Sequence, residues 1–307
     1  VIKRSSDQAI KRSSDQVTMV REEESTSAGG LAEITRSPDH FAKRQGEHLQ
    51  MLSTLTSCPV EEVLAARGGS GLWYQLYPTD QFDVTAKVLK RVHAVGIPAV
   101  ALTVDLNGGT NRETATRFRL ADQRDCTTCH ESPHGGTRLA LKPMFKDIDI
   151  STVRSLIPNF ITWDYVKRVR EVFPGKLLLK GIVTREDGEL AVRHGLDGIV
   201  VSNHGGRAEE SYIGTIESLR EVIEGTRRRI PVLVDSGFRR GTDIFKALAL
   251  GATAVGVGRP YVWGLAAYGQ AGAEAVLRIL RDELRMSMQQ AGTRSIAEIT
   301  PASIVRR

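Results

Sequence analysis

From Met51 onward, short apolar runs alternate with stretches whose apolar residues recur at helical spacing. The runs are Met51 to Thr54, Leu72 to Tyr77, Ala99 to Val104, Leu177 to Lys180, Gly198 to Ser202, Pro231 to Asp235 and Ala254 to Val257. Helical stretches lie between most of them: Gln81 to Ala94, Trp163 to Val172, Glu186 to His194, Thr215 to Glu224 and Thr242 to Leu250. Continuous apolar runs are what strands buried on both faces require, and the βα repetition predicts a parallel sheet with right-handed crossovers. Such a sheet is either open and doubly wound or closed into a barrel. Polar residues follow many different runs: Ser53, Gln75 and Tyr77, Thr103 and Asp105, Lys180, His204 and Arg207, Asp235 and Arg239, Gly258 and Arg259. An open sheet concentrates its site at one switch point, whereas a barrel brings every strand end to one rim. The spread predicts an α/β fold of the (β/α)8, or TIM, barrel kind. Seven strands are counted, so the eighth is expected before Met51.

The opening of the chain is unlike the rest. Residues 2–8 read IKRSSDQ and residues 10–16 repeat the same seven letters, then the repeat stops. Residues 1–30 are polar, charged and without a usable apolar period, which predicts a disordered or artefactual arm ahead of a single barrel over 31–307. The 307 residues, 41% hydrophobic and 25% charged, suit one large soluble domain. No apolar run approaches the roughly 20 residues that span a bilayer, and no signal peptide is evident. Three cysteines cannot close a disulfide framework, which favours a reducing, cytoplasmic location. The net charge of +6 and pI near 9.3 suit anionic ligands. The basic residues are spread along the chain without interleaved aromatics, so nucleic acid is not expected as a partner.

Chemistry concentrates at the strand ends. In Asp197-Gly198-Ile199-Val200-Val201-Ser202-Asn203-His204-Gly205-Gly206-Arg207 an apolar strand ends in a glycine-rich turn that carries a candidate base, His204, and a candidate anion clamp, Arg207. The plainer reading is a polar turn with a solvated histidine. Asp105 could orient His204, and Arg112, seven residues further on, could join Arg207 in holding a carboxylate bidentately. A turn role for Asp105 and a local pair with Glu113 for Arg112 are the alternatives. Lys180 ends a strand and points to the same rim, as a Schiff-base lysine, as positive charge for an anionic cofactor, or as a lysine that only snorkels. Asp235-Ser236-Gly237-Phe238-Arg239-Arg240-Gly241 and Gly256-Val257-Gly258-Arg259-Pro260 each follow a strand and open a helix. Helix-start amides plus an arginine make a phosphate site, and barrels place such sites after their last two strands. The G-x-G-x-x-G fingerprint of a dinucleotide-binding domain is absent after the first strand.

Taken in order, Tyr74-Gln75-Leu76-Tyr77, Leu102-Thr103-Val104-Asp105, Leu179-Lys180-Gly181, Ser202 to Arg207, Asp235 to Asp243 and Gly258-Arg259-Pro260 resemble the FMN-dependent 2-hydroxy acid oxidases and dehydrogenases. Glycolate oxidase, lactate oxidase, mandelate dehydrogenase and flavocytochrome b2 form this group, and the similarity runs from about Met51 to near Ile299. The resemblance implies an FMN-binding barrel that oxidises a small 2-hydroxy acid to the 2-oxo acid. His204 would be the base, supported by Asp105, with Tyr77 hydrogen-bonded to substrate and Arg207 and Arg112 on its carboxylate. Lys180 would stabilise the anionic reduced flavin. Ser53, Gln75 and Thr103, with Ser202, would contact the ring, while Asp235, Gly237, Arg239, Gly258 and Arg259 would hold the ribityl phosphate. Oxygen or another acceptor would take the electrons onward, and a homo-oligomer, a tetramer in this group, is implied. Another FMN or phosphate-binding barrel enzyme, isomerase-like, and a non-catalytic phosphate-ligand barrel remain alternatives.

The chain also departs from that group. The first strand and its helix are incomplete before Met51, so segments of the natural protein are expected to be missing here. Ala208-Glu209-Glu210 replaces a frequent Gln-Leu-Asp, and Leu55 stands where some relatives carry an aromatic. Cys126-Thr127-Thr128-Cys129-His130 has the spacing of a c-type haem site, and His134 adds a candidate zinc ligand. A cysteine-bearing loop within a lid-like segment from Leu106 to Met144 is the favoured reading, with no metal expected. Trp263, Leu265, Val276, Leu277, Leu280 and Leu284 form a helical apolar stripe expected to pack on the barrel or on another subunit.

Overall fold

A computed structural model describes residues 17–20, 48–68, 71–106, 113–123, 139, 142–156, 158, 161–208 and 213–305. The predicted barrel is present. In chain order its strands are β1 (Val17–Val20), β2 (Leu49–Ser53), β3 (Leu72–Leu76), β4 (Ala99–Thr103), β5 (Lys176–Ile182), β6 (Gly198–Val201), β7 (Val232–Val234) and β8 (Ala254–Val257). They form one closed sheet in sequence order. Strands β2 to β8 pair in parallel, whereas β1 closes the ring antiparallel to both β2 and β8, with Thr18 opposite Gln50 and Val257. The eighth strand therefore lies before Met51 as expected, but inside the span read as a polar arm. Val-Thr-Met-Val is β-prone, yet four residues without a flanking period give no readable signal.

The helices are α1 (Val60–Ala66), α2 (Phe82–Ala94), α3 (Glu113–Ala121), α4 (Trp163–Val172), α5 (Arg185–Arg193), α6 (Thr215–Thr226), α7 (Gly241–Leu250) and α8 (Arg259–Gln290). Thr162 and Thr184 cap α4 and α5, accepting the amides of Tyr165 and Asp187. Alternate strand residues face opposite ways, which creates two cores. Met51, Trp73, Ala99, Ala101, Leu178, Val200, Leu233 and Ala254 fill the barrel interior. Leu52, Tyr74, Val100, Leu102, Leu179, Ile199, Val201 and Val234 point outward and pack with the helices. Each buried aliphatic chain of this kind contributes about 1.5–3 kcal/mol.

The apolar stripe predicted near the C-terminus is not continuous. Tyr268 and Gly269 leave helical geometry inside α8 and kink it, and the backbones of Gly264 and Gly272 meet too closely for any side chain. Leu280 and Leu284, beyond the kink, are buried, whereas Trp263, before it, is 56% exposed.

The end of the barrel opposite the strand C-termini is tied together by Asp197. Its carboxylate accepts from Arg170 at 2.7 Å, Lys176 at 2.9 Å and the Leu177 amide at 2.9 Å. Burial alone would raise its pKa, but the Leu177 amide and the two cations outweigh that and leave it lowered. A carboxyl lowered in the folded state stabilises the fold above its ordinary value, and the contribution is lost as pH falls through the lowered one. Asp197→Asn should therefore cost about 1–3 kcal/mol at pH 7. In urea melts the gap from wild type should close below about pH 4; a constant gap down to pH 2 would contradict this role.

Candidate active site

Strands β3, β5, β6, β7 and β8 deliver residues at their C-terminal ends to one open cleft, lined by Gln75, Lys180, His204, Gly205, Arg207, Asp235 to Arg239 and Gly256 to Arg259. His204 sits at its centre in the left-handed backbone region, φ 58°, a conformation a non-glycine residue adopts at some cost. Its Nδ1 lies 3.2 Å from both carboxylate oxygens of Asp105, whose side chain is 2% exposed. Gly181 makes that approach available. It occupies a bulge between β5 and β6 at φ 110°, and a Cβ there would sit 2.5 Å from the Asp105 Cβ.

The other imidazole nitrogen, Nε2, is 3.0 Å from the Tyr77 hydroxyl. The Gln75 amide donates to that hydroxyl at 3.1 Å and to Thr103 Oγ1 at 3.0 Å. The Tyr77 hydroxyl thus bridges the Gln75 amide and His204 Nε2. The Asp105 carboxylate can only accept, so Nδ1–H points at Asp105 and Nε2 is the ring nitrogen turned to Tyr77 and the cleft. A substrate hydroxyl on the Tyr77 side of the ring would meet Nε2.

Lys180, 2% exposed, donates to Ser202 Oγ at 3.1 Å and lies 3.3 Å from Asp235 Oδ2. That oxygen is within ion-pair range but lacks hydrogen-bond geometry to any described group. Gln75 Oε1 is likewise buried without a partner among the described residues. Each such acceptor costs about 1–3 kcal/mol unless a donor arrives.

At the far end of the cleft Arg239 and Arg259 stand together after β7 and β8. Partial burial and the like charge of Arg259 both draw the Arg239 guanidinium below its ordinary pKa. Two mutually repelling cations gain most from an anion between them. Added Cβ atoms on Gly237 and Gly258 would meet nothing within 4 Å, so the backbone there is open to a ligand.

Most residues expected from the sequence therefore meet in one place. Tyr77, Thr103, Asp105 and Ser202 join the lining residues through hydrogen bonds. Arg207 lines the cleft from an exposed position. Ser53 is buried in the turn after β2, where its hydroxyl accepts the Leu55 amide at 3.1 Å. One assignment changes. Asp235 stands beside Lys180, and a carboxylate there repels a phosphate; it suits a hydroxyl donor instead. Arg112, Cys126, Cys129, His130 and His134 lie outside the described residues. Two neighbours went unread. Lys142 donates to the Leu55 carbonyl at 3.0 Å, from a segment with little pattern. Ser236 bonds to both Asp235 and Gly205; its position between Asp and Gly after a strand was its one signal.

Fold and cleft together bring an imidazole paired with a buried aspartate, a buried lysine and two neighbouring arginines into one barrel site. A family model for FMN-dependent dehydrogenases matches residues 40–306, and the chain belongs to that family. It is 39% identical to human (Homo sapiens) 2-hydroxyacid oxidase 2 over 248 residues, 80% of this chain and 67% of that protein. To spinach (Spinacia oleracea) glycolate oxidase it is 38% identical over 257 residues, 83% of this chain and 69% of that protein. Among solved structures, a mandelate oxidase bound to (S)-2-phenylpropionate superposes with TM-score 0.67 at 34% identity, covering 80% of this chain and 66% of that one. The chain thus spans about two thirds of the length of such relatives.

Proposed function

We propose that this chain carries the FMN-dependent oxidation of a small 2-hydroxy acid to its 2-oxo acid. The observation that carries the reading is the His204 imidazole, oriented between Asp105 and Tyr77, in the same cleft as Lys180 and the arginine pair. The residues present fit FMN. Gln75 Oε1 and Asp235 Oδ2 are buried acceptors waiting for donors, such as a ring N–H and a ribityl hydroxyl, and Arg239 with Arg259 suits the phosphate.

Oxidation breaks the C2–H and O–H bonds of the substrate and forms a carbonyl. His204 Nε2 takes one proton, the α-proton or the hydroxyl proton, and Asp105 then faces an imidazolium it stabilises. Arg207 binds the carboxylate, and Tyr77 hydrogen-bonds the oxygen that becomes the carbonyl. FMN, when bound, supplies the acceptor for the electron pair and the remaining proton, and Lys180 places a positive charge where negative charge accumulates. Membership in a redox family favours this reading over an isomerase or a non-catalytic phosphate-binding barrel. Oxygen or a second protein would receive the electrons. Self-association belongs to the same proposal, supported by the exposed Trp263, Tyr268, Ile279 and Met286 of α8. Among the described residues no helix is long and apolar enough to cross a membrane. A cytoplasmic site of action also remains part of the proposal, supported by the cysteine count alone. The visible spectrum of FMN-loaded protein before and after adding a 2-hydroxy acid without oxygen tests the reading.

A further inference from the structure

Ser236, at the C-terminal end of β7, is held at φ 78°, a second left-handed non-glycine residue in the cleft beside His204. Glycine would occupy this position without strain, so the side chain has to justify a cost of about 1 kcal/mol or more. Its hydroxyl both donates and accepts. It donates to Asp235 Oδ1 at 2.7 Å and accepts the Gly205 amide at 2.9 Å. Thr215, at the start of α6, fixes the same turn by donating to the carbonyl oxygens of Asp235 at 2.6 Å and Ser236 at 3.2 Å.

These bonds close a ring around the base. Lys180 donates to Ser202 Oγ, Ser202 Oγ accepts the His204 amide at 3.1 Å, and the next amide, of Gly205, ends on Ser236. Ser236 in turn holds Asp235, which faces Lys180. Arg259 Nη2 also donates to the Gly205 carbonyl at 2.5 Å, so that peptide is gripped from both edges by residues of the cofactor end. Gly205 itself is at φ 71°, a left-handed conformation that favours glycine.

We propose that Ser236 is a positioning residue through which the Lys180–Asp235 pair holds the His204–Gly205 backbone, and with it the imidazole, in register with Asp105 and Tyr77. The inference rests on the functional reading above for its catalytic consequence, but not for its geometric one. Losing the hydroxyl frees the Gly205 amide and lets the loop after β6 relax by tenths of an ångström to an ångström, a misplacement that costs up to about 100-fold in rate.

Two variants separate this role from a turn that only needs a small residue. Ser236→Ala keeps the left-handed strain, and Ser236→Gly removes it, so the glycine variant folds at least as well as wild type. In both, the His204 ring cross-peaks in the proton–carbon NMR spectrum, assigned with His204→Gln, should move in FMN-free protein. In FMN-loaded protein both should reduce flavin about 10–100-fold more slowly, with substrate Kd and FMN Kd within about threefold of wild type. Unmoved His204 peaks overturn the proposal, as does a glycine variant with the wild-type reduction rate. If wild type itself is not reduced by any 2-hydroxy acid, the functional reading fails while the NMR comparison still decides the role of Ser236.

Discussion

His204→Ala should slow reduction of bound flavin by substrate by about a hundred- to ten-thousand-fold, the range that a positioned general base contributes. The reasoning runs through protons. Asp105 can only accept, so Nδ1–H points at its carboxylate, and Nε2 is turned to the Tyr77 hydroxyl and the cleft. Alanine removes the imidazole and leaves Arg239 and Arg259, at the other end of the cleft, in place. Loss of rate should therefore come with near-normal FMN affinity. Stopped-flow reduction without oxygen measures the first, and flavin fluorescence quenching the second. A variant that is reduced at nearly the wild-type rate would remove His204 as the base.

Replacing Arg239 and Arg259 together by alanine should weaken FMN binding by about 100- to 10,000-fold. Each charge-assisted hydrogen bond to a phosphate is worth about 1.5–3 kcal/mol, so each single variant loses roughly 10- to 150-fold. The double loss should fall short of the product, because removing one cation relieves the repulsion that lowers Arg239. Riboflavin, which has no phosphate, supplies the control: its affinity should change little in the double variant. Equal losses for FMN and riboflavin would show that the arginines support the loops and do not bind the anion.

Much of this site was legible because a barrel turns a scattered sequence signal into one rim. The polar residues after β3, β4, β5, β6, β7 and β8 converge regardless of their distance along the chain, so Tyr77, Asp105, Lys180, His204 and Asp235 could be placed together from strand ends alone. What resisted was information carried by single bonds. That the Ser53 hydroxyl accepts the Leu55 amide depends on a rotamer that no periodicity encodes. Ser236 reads as an ordinary turn residue until its φ and two partners are known. Asp235 was assigned to the phosphate because its neighbour Arg239 fits one, and only the 3.3 Å approach to Lys180 separates their roles. In β1 the limit was length, since four residues with no amphipathic flank fall below any periodic signal, and direction is not written in such a run at all.

The central claim is that the cleft couples removal of a substrate proton by His204 to transfer of an electron pair to FMN. Purified protein should be loaded with FMN, freed of oxygen and mixed with glycolate, lactate or mandelate while its visible spectrum is recorded. Loss of the yellow absorbance near 450 nm, the usual marker of oxidised flavin, with one 2-oxo acid formed per flavin, is the predicted result. A spectrum that stays yellow with all three acids, on protein shown to have FMN bound, would contradict it.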